Sequence, residues 1–312
     1  MAKTGMGGTS WGARAAACLR QLGPAAALAV MLGATPVAGQ QSASRAIEVR
    51  GMALGMTPAE TQRAIAAAGL PAVDRGAGVN PEQQGFAIQR ARPNDQNDLI
   101  FVSTLVSRAR AGSKPQGSDE ILAAAFTPEA GKERAWAIGM TRLYASAEMP
   151  TVQNTLAALA NRYGNTSWMS DMSHAAFLAN VRQDQRVFGA TLLWYWDDNG
   201  RQGGPAPHET CRYGLHQAYL LNQVSTHDMT TVNAAFSKPH WFDEALRSGC
   251  SKVVRAILSW NVEGAVTKID IEAVDLRAGV DASRRLAATI AARDATAARA
   301  RADAAARNKP NF

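Results

Sequence analysis

Two alternating runs constrain this chain more than any other feature. Residues 253–260 and 265–274 alternate apolar and polar side chains along much of their length, and a short turn at residues 261–264 joins them. A period of two is the strand period. It places Val254, Ala256, Leu258 and Trp260 on one face and brings Ile269 and Ile271 to that face from the returning strand. An isolated hairpin is marginal in water, so so apolar a face needs more strands beside it and a second layer over it.

The chain supplies those strands. Residues 86–90 and 99–106 flank the polar loop 93–98, and residues 120–126 and 135–143 flank turn residues 128–132. Both pairs predict hairpins. Ile47 and Val49 alternate with charge and predict a short strand. Residues 108–118, rich in Gly, Ser, Lys and Arg, predict a mobile surface loop. Residues 187–196 predict a strand ending on Asp197-Asp198-Asn199-Gly200, a strong turn signal. Its return is expected around residues 211–221, where a helical reading also stands.

Helices punctuate the strands. Thr57-Pro58-Ala59-Glu60 is a capping box with proline at the first helical position, and Gly69 and Pro71 stop that helix near residue 68. After Pro150, Val152, Leu156, Leu159 and Tyr163 fall on one stripe, and Gly164 ends it. Pro239 breaks a third candidate at residues 231–247 into two short helices or a kink. Residues 281–307, rich in Ala and Arg, predict a last helix. Its larger apolar anchors stop at Leu286 and Ile290, so its end should project into solvent, with a disordered stretch at 308–312. The order predicts an α+β fold of antiparallel hairpins packed by a few helices. Two similar helix-and-sheet modules, residues 40–180 and 181–280, would precede a basic helical tail at 281–312.

Residues 1–39 predict a cleavable secretion signal. Lys3, Arg14 and Arg20 form a basic start without acids, residues 25–37 are small and apolar, and Val37-Ala38-Gly39 suits a signal peptidase. Cleavage near Gly39 would leave Gln40 first and the protein periplasmic or extracellular. The apolar run is too short to span a bilayer, and no later stretch does better. Cys18 lies ahead of the apolar run and lacks the neighbours of a lipidation site. Once it is removed, Cys211 and Cys250 remain, and an even pair in an oxidising compartment predicts a structural disulfide.

Charge follows the same division. The whole chain carries +7, of which the signal holds +3 and residues 282–312 hold +5, leaving residues 40–281 near −1. A neutral body offers no electrostatic footprint for nucleic acid. The basic tail suits anionic lipid, lipopolysaccharide phosphate or an acidic partner, or is simply a solvated helix.

Leu54-Gly55-Met56-Thr57-Pro58-Ala59-Glu60, with Ala64-Ile65 and Gly69 after it, resembles the opening of SmpA/OmlA-type envelope modules. Those modules run Gly-Met-Thr, a short amphipathic helix and Gly into an antiparallel sheet, and the resemblance implies binding or scaffolding rather than catalysis. Thr61 stands where an apolar residue is usual, and the lipid-bearing cysteine is missing. β-Lactamase inhibitor proteins join two helix-and-sheet modules in tandem, and residues 56–69 and 149–164 are vaguely similar in the same sense.

The chemistry-bearing residues form no recognisable catalytic pattern. His208, His216, His227 and His240 crowd a short stretch without H-E-x-x-H or another metal spacing, so neither a metal site nor a cofactor is expected. Cys211 with His216 would need a free thiolate, which the disulfide removes. Asp197 and Asp198 sit where turns favour aspartate. Trp194 and Trp196 share a strand face and are the candidate binding residues for a glycan or a partner peptide, with core packing as the competing role. The expectation is a non-enzymatic binding or scaffolding protein of the cell envelope, partnered by an envelope protein or glycan. The alternative is an envelope hydrolase using residues 194–216.

Overall fold

The structure, a computed structural model, describes residues 46–72, 85–91, 99–109, 118–172, 188–203, 211 and 240–307. Its elements are β1 (Glu48–Val49), β2 (Met52–Ala53), α1 (Pro58–Ala67), β3 (Gly85–Ala91), β4 (Phe101–Ala109), β5 (Asp119–Phe126) and β6 (Ala135–Leu143). There follow α2 (Val152–Tyr163), β7 (Trp168–Met172), β8 (Phe188–Trp196), α3 (His240–Arg247), β9 (Lys252–Trp260), β10 (Val266–Asp275) and α4 (Leu276–Arg307). The fold is α+β.

β1 and β2 form a small hairpin. The other eight strands make one antiparallel sheet in the order β3-β4-β5-β6-β10-β9-β8-β7. That order reads the same from either end. A helix precedes a four-stranded antiparallel set in each half, and the two sets join where β6 pairs with β10, with Ile271 opposite Met140 and Val274 opposite Ala137. The stretches either side of residue 180 therefore share a sheet.

The two leading helices begin alike. The Glu60 N–H donates to Thr57 Oγ1 at 3.2 Å, and the Thr57 N–H donates to the Glu60 carboxylate at 2.8 Å, closing the expected capping box. In α2, the Asn154 N–H donates to Thr151 Oγ1 at 3.2 Å. One turn on, Thr61 and Thr155 are both buried, and each hydroxyl donates to the carbonyl of its cap residue at 2.9 Å. Thr61 thus spends its polar group locally and still fits beneath the helix where a wholly apolar side chain would also fit.

Side-chain alternation divides the core into two layers. On one face, Ile65 of α1 and Leu159 and Tyr163 of α2 pack against Leu122, Ile138, Leu192, Trp194, Val254, Ala256, Leu258, Ile269 and Ile271. The face read from the 253–274 hairpin is this one. On the other, Phe242, Ala245 and Leu246 of α3 and Leu276 and Val280 of α4 cover Ala123, Ala125, Trp136, Ala137, Tyr195, Val253 and Val274.

Four details differ from the sequence reading. β4 runs on through Arg108 and Ala109, into the stretch read as a surface loop, because both residues pair with β5. β7 is an additional strand, paired with β8. The turn after β8 is real, since the Gly200 N–H donates to the Asp197 carbonyl, but its return is brief: Trp196 bridges Gln202, and the sheet neighbours of β8 are β7 and β9. Residues 212–221 of the expected return lie outside the described residues. α4 starts at Leu276 rather than near residue 281, because Asp275 Oδ1 accepts from the Ala278 N–H at 2.8 Å and begins the helix directly off β10.

Candidate functional site

Trp194 is completely buried. Its ring centroid lies 5.3 Å from that of Tyr163, and its indole N–H donates to the Gly164 carbonyl at 2.9 Å. It closes the C-terminal end of α2 and has no face to offer a ligand, so the competing core role is the one it plays. Trp196 is half-buried against the same layer.

Cys211 and Cys250 form the disulfide, with Cα atoms 5.6 Å apart and both residues fully buried. The bridge lies among Tyr195, Phe242, Ala245 and Val253, so it secures the second core layer.

The carboxylates weighed for hydrolysis are engaged elsewhere. Asp197 Oδ1 accepts from the N–H groups of Asn199 and Arg201 at 2.8 and 2.9 Å, which is turn chemistry. Asp198 forms a two-pronged pair with Arg277 at 3.1 and 2.7 Å. The Arg277 hydrogen bonds hold its carboxyl below the usual range. His208, His216 and His227 lie outside the described residues, and His240 opens α3. Among the described residues, no three His, Cys, Asp or Glu side chains are grouped to hold a metal ion.

The sheet face away from α1 and α2 carries a charged ladder. Glu272, almost wholly buried, pairs with Arg255 across β9 and β10. Asp270 accepts from Thr141 Oγ1 at 2.7 Å and pairs with Lys268 at 2.8 Å. These charges answer one another: Arg255–Glu272 and Thr141–Asp270 link neighbouring strands, and Lys268–Asp270 pairs within β10.

The feature that stands out from the body is α4. Its first two turns are an anchor: Leu276, Gly279, Val280, Ala282 and Ser283 are buried, and the Leu276 N–H donates to the Ser251 carbonyl at 2.9 Å. Gly279 belongs there because a Cβ at that position would stand 3.0 Å from Cε3 of the Trp136 ring. Three ion pairs then fix the root. Arg277 holds Asp198 after β8, Arg284 reaches Asp243 of α3 at 2.7 Å, and Arg285 takes Glu129 of the β5–β6 turn in a fork at 2.8 and 3.2 Å. Arg285 likewise holds the Glu129 carboxyl below its usual range. Sequence inspection had no signal for these pairs, whose partners lie 79, 41 and 156 residues apart.

Beyond the root the helix leaves the body. Leu286 and Ile290 are half-covered, and every residue from 291 to 307 is exposed. The span from residue 284 to 307 is about 36 Å at about 1.5 Å per residue. Alanine fills half of it and keeps it helical without a packing partner. No helix among the described residues is long and apolar enough to cross a membrane. No protein-family model, curated protein or solved structure matches this chain.

Proposed function

We propose that this chain is a non-enzymatic binding or scaffolding protein of the cell envelope, acting in the periplasm or outside the cell once its first 39 or so residues are removed. The carrying observation is α4: a folded body grips one end of a long helix through buried side chains and three ion pairs, and holds the remainder out in solvent. Most helices in globular proteins owe their stability to a packed apolar face. This one is stabilised by alanine instead, which suits a part that is displayed. The basic, acid-free start of the chain supports export. The tandem arrangement of two helix-and-sheet halves, and the likeness of residues 54–69 to SmpA/OmlA-type modules, support scaffolding.

The test is photocrosslinking in intact cells from exposed positions on α4, such as Ala297 and Ala300. An adduct to an envelope protein or to a lipid, resolved from the monomer by mass, is expected. Repeated recovery of monomer alone, from protein shown to be exported and folded, would overturn the reading.

A further inference from the structure

We propose that the exposed section of α4 docks on the phosphate-bearing face of an anionic phospholipid membrane. This rests on the binding reading above and names its partner. From residue 284 onward the helix carries Arg284, Arg285, Arg293, Arg299, Arg301 and Arg307 against Asp294 and Asp303. Arg284 and Arg285 are committed to Asp243 and Glu129 at the root. Arg293, Arg299, Arg301 and Arg307 are exposed along the rod, and Lys309 follows them in sequence.

What the rod lacks decides the kind of partner. A protein groove that takes a helix reads large apolar anchors one turn apart. Past Ile290 every apolar residue of the helix is alanine. A helix that sinks into the acyl region of a bilayer needs tryptophan, phenylalanine or leucine on one side. None is present there, so the attraction is coulombic and stays at the level of the head groups. At about 100° per residue the four arginines point in several directions. That distribution suits a field of mobile phosphates better than one fixed acceptor. Choice of base agrees, because the guanidinium fork is weakly hydrated and pairs two-pronged with phosphate oxygens, and the helix uses arginine exclusively.

The rest of the molecule permits this approach. The body is close to neutral and does not repel an anionic surface. The two aspartates set the strength. Each base near an anionic membrane strengthens docking about fivefold, and each acid opposes it by a similar factor, so docking is reversible and weakens steeply with salt.

The experiment is co-sedimentation of the full chain, purified after export, with vesicles of phosphatidylcholine alone or mixed with phosphatidylglycerol. Binding to the mixed vesicles at low salt is expected, falling as salt is raised through the physiological value, with none to phosphatidylcholine alone. Combining Arg293→Gln, Arg299→Gln, Arg301→Gln and Arg307→Gln should abolish it, and glutamine preserves helix propensity. Asp294→Asn and Asp303→Asn should each raise the partition about fivefold, the equivalent of about 1 kcal/mol per charge. Absence of binding to the mixed vesicles, equal binding to neutral ones, or unchanged binding by the four-arginine variant with its helix intact would each overturn the proposal. If the vesicles fail while crosslinking from α4 captures a protein, lipid docking falls and the binding reading stands. If both fail, both readings fall.

Discussion

Trp194 donates its indole N–H to the Gly164 carbonyl at 2.9 Å, and that bond ties β8 to the last turn of α2. Gly164 has φ +83°, which favours glycine, so the chain leaves the helix in a form that presents this carbonyl to the indole. Trp194→Ala should cost about 3–5 kcal/mol by opening a cavity in the larger core layer. Trp194→Phe keeps a ring but strands the Gly164 carbonyl, and should cost about 1–3 kcal/mol. Urea titrations should show Trp194→Ala with the lower midpoint of the two; a Trp194→Phe midpoint equal to that of the wild type would mean that the hydrogen bond contributes nothing.

Gly279 sets two effects against each other. Alanine there gains roughly 1 kcal/mol of helix propensity. Its methyl group would also stand 3.0 and 3.2 Å from Cε3 and Cδ2 of Trp136, a buried ring held between α4 and the sheet. Overpacking a rigid site costs about 1–3 kcal/mol, so the crowding should win and Gly279→Ala should melt at a lower temperature. A rise in Tm would show that the indole slides aside freely.

The hairpin of β9 and β10 was legible almost to the residue because strand alternation and a compact turn agreed. Helix α1 was legible because of its capping box at Thr57 and α2 because of its apolar stripe after Pro150, and glycine follows both. β7 was not, since five residues that include Ser170 and Asp171 give too little apolar contrast at the edge of a sheet. The partners of β8 were hidden for another reason. A strong turn suggests that the next segment pairs, yet β9 comes from beyond a long excursion, and local rules cannot see that. The start of α4 was misplaced because Leu276 prolongs the apolar pattern of β10 while the cap at Asp275 has already turned the chain. For the candidate site, the exposed basic helix could be read from composition, whereas the root that holds it depends on ion pairs distant in sequence.

The Cys211–Cys250 bridge should be worth roughly 3–4 kcal/mol, since it closes a loop spanning 39 residues and secures a buried layer. Reductant or Cys250→Ser should lower the denaturation midpoint by that order. Intact mass should rise by two hydrogen atoms on reduction of the native protein. Labelling of both thiols before any reductant is added would contradict the bridge.

Tyr163 predicts the alkaline limit. Burial pushes its hydroxyl up to about 12, and the hydroxyl donates to the Glu48 carbonyl at 2.8 Å. A group whose folded pKa is raised stabilises fully below its unfolded value, and that contribution is lost as pH climbs through the folded one. Stability should therefore decline from about pH 10, where an unfolded tyrosine ionises, towards the folded value. Tyr163→Phe loses the Glu48 bond and starts less stable, but its alkaline decline should be shallower. Parallel slopes for the two proteins would remove Tyr163 from the account.

The root of α4 should respond to acid before the sheet does. Arg277 and Arg285 lower the carboxyls of Asp198 and Glu129, so their contribution is present above the ordinary carboxylate pKa and is lost as pH falls through the lowered folded values. Both pairs are at the surface, where an ion pair adds little to global stability. The effect should instead be local, because the root is gripped by few other contacts once the buried turns end. Hydrogen exchange, corrected for its intrinsic pH dependence, should show amides at residues 284–290 losing protection below about pH 4 while those of β9 and β10 keep theirs. Glu129→Gln combined with Asp198→Asn should reproduce that loss at neutral pH. If protection at the root persists in the double variant, the buried side chains of residues 276–283 hold the helix by themselves and the ion pairs are incidental.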